Sequence, residues 1–147
     1  MDENEFKEVL SGYDPKRCFF GKAILLGCAE CSCSQRVLIG EREAVSCLSH
    51  AGRARCGDVL LALREKAAFA LGMTQARQNL PHGKEVKVEC GGLVALAQLA
   101  GLTVVSDVDA VLREVLRRFG ETEALPYEEI VRSISRYSLR KRGRRGG

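Results

Sequence analysis

Hydrophobic and polar positions divide this chain into a periodic C-terminal half and an aperiodic N-terminal one. From Asp58 onward, Val59, Leu60, Leu63, Ala67, Ala70 and Leu71 recur at helical spacing, and Arg64, Glu65 and Lys66 fall on the opposite face. This is the apolar stripe of an amphipathic helix, with Gly57-Asp58 as its expected cap and Gly72 as its stop. Lys84 to Glu89 alternates instead, Val86 and Val88 against Lys87 and Glu89, which predicts a strand. Leu93 to Leu99 reads as a helix stopped near Gly101. Ser106 is the predicted cap of another, with Asp109 at the capping-box position and Asp107 favourable to the helix dipole. That helix carries Val108, Val111, Leu112, Val115 and Phe119 on one face and ends at Gly120. Pro126 is expected at the first position of the last helix, whose stripe is Tyr127, Ile130, Val131, Ile134 and Tyr137.

The N-terminal half has no comparable pattern. Residues 3–10 predict a short amphipathic helix, closed by Ser11-Gly12 and the turn residues Tyr13-Asp14-Pro15. Ala23 to Leu26 and Val37-Leu38-Ile39 are too short for periodicity to choose between helix and strand. A lone strand is not stable, so Val37-Leu38-Ile39 is the expected partner of Lys84 to Glu89. Glu41 to Leu48 reads as a helix or irregular turn, and Ser49-His50-Ala51-Gly52 as a loop. The fold class that follows is mainly α with one short β element: a compact helical domain with a cysteine-rich, loop-rich N-terminal half. Residues 1–138 are expected to form one globular domain, with 12–57 the cysteine-rich part and 58–138 the helical part. Residues 139–147 are expected to form a disordered basic tail.

Composition narrows the function classes. At 147 residues the chain has one domain's length, and 46% hydrophobic with 29% charged residues is the balance of a soluble globular protein. Tryptophan is absent and aromatics are 5%, against a stacking platform for nucleic-acid bases. No apolar run approaches the roughly 20 residues of a membrane helix. The first residues lack a basic stretch followed by an apolar one, so a cytoplasmic location is expected. Arg136, Arg140, Lys141, Arg142, Arg144 and Arg145 stand without an acid in 136–147. Removing those six charges from the net +4 leaves −2 for residues 1–135, so the basicity belongs to the tail. Arg140, Lys141, Arg142, Arg144 and Arg145 are the candidate contacts for nucleic acid or another anion.

The cysteines change the picture most. Six of seven lie between Cys18 and Cys56, a span of 39 residues, and three share the hexapeptide Cys28-Ala-Glu-Cys31-Ser-Cys33. Thiolates so spaced converge on one metal or cluster with a single turn of backbone between them. The candidate ligands are Cys28, Cys31, Cys33, Cys47, Cys56 and Cys90. Cys90 precedes Gly91-Gly92, where a helix start with close backbone approach would favour an anionic cluster. Cys18, followed by Phe19-Phe20, reads more as core than as ligand, though it could supply a fourth thiolate. An odd cysteine count without an export signal makes a disulfide framework the lesser expectation, and burial as small hydrophobes is the plain alternative. Cys47 and Cys56 do not form a second close pair, though Cys47 and His50 give zinc a C-x-x-H pair; an iron–sulfur cluster tolerates irregular spacing better. No H-E-x-x-H, P-loop, G-x-S-x-G or G-x-G-x-x-G occurs, so nothing points to a hydrolytic enzyme. The expectation is a small soluble iron–sulfur protein acting with a protein partner in electron transfer or redox sensing. One alternative is a structural-zinc module contacting nucleic acid or protein through its tail. A second is a thiol redox protein or metallochaperone using the C-x-x-C pair.

Overall fold

The structure, a computed structural model, describes residues 15–73 and 80–138. The predicted helix at 3–10 and the basic tail lie outside those residues. In chain order the elements are α1 (Gly21–Leu25), β1 (Ser34–Ile39), β2 (Arg42–Cys47), α2 (His50–Ala67), α3 (His82–Val86), a π-helical turn (Lys87–Gly91), α4 (Gly92–Leu99), α5 (Val108–Phe119), a 3₁₀ turn (Thr122–Ala124) and α6 (Tyr127–Arg136). The protein is mainly α with one short β element, as expected; that element is an antiparallel hairpin.

The stripe of α2 organises the core. Val59, Leu60, Leu63 and Ala67 are buried, and α4, α5, α6 and the π turn pack around them through Leu93, Leu96, Val111, Leu112, Ile130 and Ile134. The helix begins at His50, eight residues before the predicted start. Ser49 caps it, its hydroxyl accepting from the amide of Gly52 at 2.9 Å. Gly52 and Gly57 lower helix propensity and disguised this first part as a loop. Gly52 leaves room there: a Cβ would stand 3.0 Å from the Asp109 carboxylate and from Ser49 Oγ. Arg64, predicted to face solvent, is 1% exposed.

The largest departure from the pattern is residues 84–89, which are helical. α3, the π turn and α4 run on as one rod from His82 to Leu99 with αR backbone at the junctions. Val86 and Val88 alternate in sequence, yet both are fully buried because the rod is enclosed on several sides there. A two-valine alternation is too short a signal to withstand such burial. Val37-Leu38-Ile39 therefore pairs elsewhere: β1 and β2 form a hairpin with Ser34 opposite Cys47 and Ile39 opposite Arg42. Glu41 to Leu48, read as a helix or irregular turn, is mostly β2. The two-residue connection has Gly40 at φ +66°, the left-handed conformation such tight hairpins require.

Two smaller shifts occur at helix starts. α5 is capped by Asp107 rather than Ser106, and Pro126 is the cap of α6 rather than its first helical residue. The cysteine-bearing half belongs to the same core as the helices. Phe19, Phe20, Ala23 and Ala29 are buried within it, so ordinary packing orders much of this aperiodic half. No helix among the described residues is long and apolar enough to cross a membrane.

Candidate metal centre

The open end of the hairpin gathers cysteines from four places in the chain. Residues 16–18 run antiparallel to β2: the Cys18 amide donates to Val45 O at 2.8 Å and the Cys47 amide to Lys16 O at 2.7 Å, with Arg17 opposite Ser46. On the other edge, the Leu48 amide donates to Cys33 O at 2.7 Å and the Ser34 amide to Cys31 O at 3.1 Å. Cys47 is thus flanked by the Cys18 strand on one side and the Cys31–Cys33 segment on the other. Ser49 then starts α2, which brings the buried Cys56 in from behind. Arg53 fastens that helix to the Cys18 segment. Its guanidinium lies 4.4 Å from the Phe19 ring centroid, and its Nε–H donates to Arg17 O at 2.8 Å.

Two of these thiols, Cys18 and Cys56, lie deep enough to feel the other cysteines. Burial pushes the Cys18 thiol up to about 12, and Glu89, Cys47 and Cys31 add to the rise. Burial likewise raises Cys56, reinforced by Cys18, Cys31, Cys47 and Asp109. Cys31 is raised to about 11 by burial, against the pull of the Cys33 and Asp109 amides, which donate towards its sulfur. Those amides place Cys31 at the N-terminus of α5, where Ser32 also docks: its amide and hydroxyl each donate to Asp107 at 3.0 Å. Burial alone would raise Asp107; the Ser32 donors and the Cys31 thiol outweigh it and hold that carboxyl below its usual value. The Cys47 thiol donates to Ser49 O at 3.3 Å.

The candidate ligands read from the sequence are therefore divided. Cys31, Cys47 and Cys56 lie in neighbouring segments, and Cys18, read as core rather than ligand, lies beside them. Nothing in its spacing signals this; the pairing of residues 16–18 with β2 does it. Cys33 adjoins Cys31, its sulfur 4.0 Å from Ser32 Oγ. Cys28 and Cys90, expected among the ligands, are joined to each other as a disulfide with 6.3 Å between their Cα atoms. His82 is exposed, its Nδ1 3.1 Å from Lys22 Nζ, and His50 is exposed on the first turn of α2. Among the described residues no three His, Cys, Asp or Glu side chains converge closely enough to hold a single metal ion.

Beside the disulfide lies a charged group that sequence reading missed. Arg64 and Glu85 form a buried ion pair, and Glu89, one helical turn beyond Glu85, accepts from the Ala23 amide at 3.0 Å. The signal was Glu85 and Glu89 at i and i+4, which the strand reading of 84–89 hid. Burial, then the hydrogen bond and charge of Glu85, hold the Glu89 carboxyl well above its ordinary value of 4.5. The folded state therefore keeps a proton that the unfolded state loses. Stability from this group is complete below about pH 4.5 and declines as pH rises through the folded-state value. Glu89→Gln, which keeps an acceptor for Ala23 without the charge, is expected to flatten that decline. Denaturation midpoints of both proteins from pH 4 to pH 9 check this, and parallel curves would reject it.

No family model, curated protein or solved structure matches this chain.

Proposed function

We propose that this chain is a small iron–sulfur protein whose cluster is held by Cys18, Cys31, Cys47 and Cys56, serving electron transfer or redox sensing with a protein partner. The observation that supports the reading is that four unbonded thiols, from four separate segments, lie around the hairpin edge and the start of α2, with Cys56 under the charge of the other three. Four cysteines are the usual ligand set of such clusters. A tetrahedral zinc site with Zn–S of about 2.3 Å needs its sulfurs in near contact, whereas a polynuclear cluster accepts ligands farther apart. The donor set fits in a second respect. Amides of Cys33 and Asp109 aimed at the Cys31 sulfur are the kind of hydrogen bond that tunes a cluster's potential. Bound there, the cluster would supply a one-electron centre. The chain's own part is to exclude water with Phe19 and Val45 and to orient the thiols through the hairpin edges.

Anaerobically purified or reconstituted protein is expected to be brown, with iron and acid-labile sulfide. Cys31→Ser and Cys56→Ser are expected to lose both, while Cys33→Ser keeps them. Colourless protein with stoichiometric zinc would move the assignment to a structural-zinc module, for which the basic tail is the candidate nucleic-acid contact. Undiminished iron in Cys56→Ser would reject the ligand set.

A further inference from the structure

We propose that the Cys28–Cys90 disulfide is a thiol–disulfide exchange site, opened by a dithiol reductant that attacks Cys28. The bond joins the segment after α1 to the π turn across 62 residues, while the other five cysteines are free. One oxidised pair among five thiols is not the disulfide scaffold of a small secreted domain. A lone oxidised pair beside free thiols is open to thiol–disulfide exchange.

Three observations give the pair its direction and its tolerance of opening. Cys90 is 1% exposed whereas Cys28 is only half-buried, just after Gly27 in a left-handed turn. Of the two sulfurs, Cys28 is the one a reductant reaches. The Cys28 sulfur lies 3.4 Å from Ala23 O, a carbonyl that already takes the Cys28 amide at 3.0 Å. A released Cys28 thiol thus finds its acceptor in place. Finally, the two ends are held together without the bond: the Ala23 amide donates to Glu89, the residue before Cys90, and Phe20, Ala23 and Val88 are buried around them. Opening the bond leaves that packing intact. Cys90 sits in a π turn, a feature frequent at functional sites.

The chemistry balances with a dithiol as the named reductant. Its first thiolate attacks Cys28 Sγ, forming a mixed disulfide. The Cys28–Cys90 bond breaks with its electron pair on Cys90, which takes a proton. The reductant's second thiolate then attacks its own sulfur in the mixed disulfide. Cys28 leaves and takes the second proton, and the dithiol departs as a disulfide, oxidised by two electrons. Both protons come from the dithiol.

The test uses the full chain stripped of metal, so its outcome does not depend on the proposed cluster. Alkylation in denaturant before and after dithiothreitol, with peptide mapping, is expected to label Cys28 and Cys90 only after reduction. Folded protein exposed to limiting glutathione is expected to carry the mixed disulfide on Cys28. Circular dichroism should stay unchanged through a reversible dithiothreitol titration. In folded Cys90→Ser, Cys28 should react with an aromatic disulfide at least about tenfold faster than Cys90 does in Cys28→Ser. Labelling of both cysteines without reductant, glutathione on Cys90 as often as on Cys28, or unfolding on reduction would each overturn the proposal. If either serine variant fails to fold, the wild-type glutathione adduct decides.

Discussion

Replacing Arg64 with methionine is expected to destabilise the protein by about 3–5 kcal/mol at neutral pH, the usual cost of removing one partner from a buried ion pair. The Arg64 and Glu85 side chains are 2% and 6% exposed, so the solvent cannot take over for the missing guanidinium. Glu89 makes the loss worse, because its carboxyl shares the same enclosure and already depends on remaining protonated. Without Arg64, two acids would face each other with no cation between them. Arg64→Met combined with Glu85→Met should recover most of the loss, since an apolar pair of similar volume often replaces a buried ion pair at little cost. Urea denaturation of the three proteins measures both effects. A single-variant loss under about 1 kcal/mol would show that the charges are better solvated than the structure places them.

Gly91→Ala is the second large effect. An alanine in a helix interior ordinarily gains up to about 1 kcal/mol over glycine. Here the added Cβ would stand 2.8 Å from Ile134 Cα, 3.0 Å from Tyr137 Cβ and 3.1 Å from Ser133 O. Two of those atoms are backbone of α6 and its end, so the helices must separate. Overpacking of this kind costs about 1–3 kcal/mol and would also stretch the Ser133 Oγ to Gly91 O hydrogen bond of 2.9 Å. Gly92→Ala supplies the internal comparison. Its closest neighbour is Leu63 Cδ1 at 2.8 Å, the far end of a side chain that can turn aside. A thermal midpoint lowered clearly more by Gly91→Ala than by Gly92→Ala is the expected result. Equal shifts would mean that the crossing of α6 over the π turn is looser than described.

The same glycines show what the sequence disclosed and what it concealed. Gly91-Gly92 did mark a close approach, as expected, but the approaching groups are α6 and Leu63 rather than a cluster sulfur. The helices from residue 92 onward were legible because each carries an uninterrupted apolar stripe with a terminating glycine, proline or acid. The rod at 82–91 was not. Its residues are buried on several sides, and burial of that kind erases the contrast between faces on which periodicity depends. The hairpin was hidden for the opposite reason: both faces of β1 and the start of β2 are largely exposed, so alternation never develops. The candidate centre was legible as a cysteine-rich stretch. Which thiols meet was not, since Cys18 and Cys47 are brought together by strand pairing and Cys56 by a helix whose start was misplaced.

The π turn at Lys87–Gly91 also sets a phase difference along one rod. A turn that holds an extra residue displaces everything after it by about 100° around the axis, one residue's share of a 3.6-residue turn. α3 and α4 are therefore dialled to different azimuths, though no break separates them. Within the turn itself the contacts divide: Glu89 and Cys90 reach towards α1 and the segment after it, while Gly91 lies flush against α6.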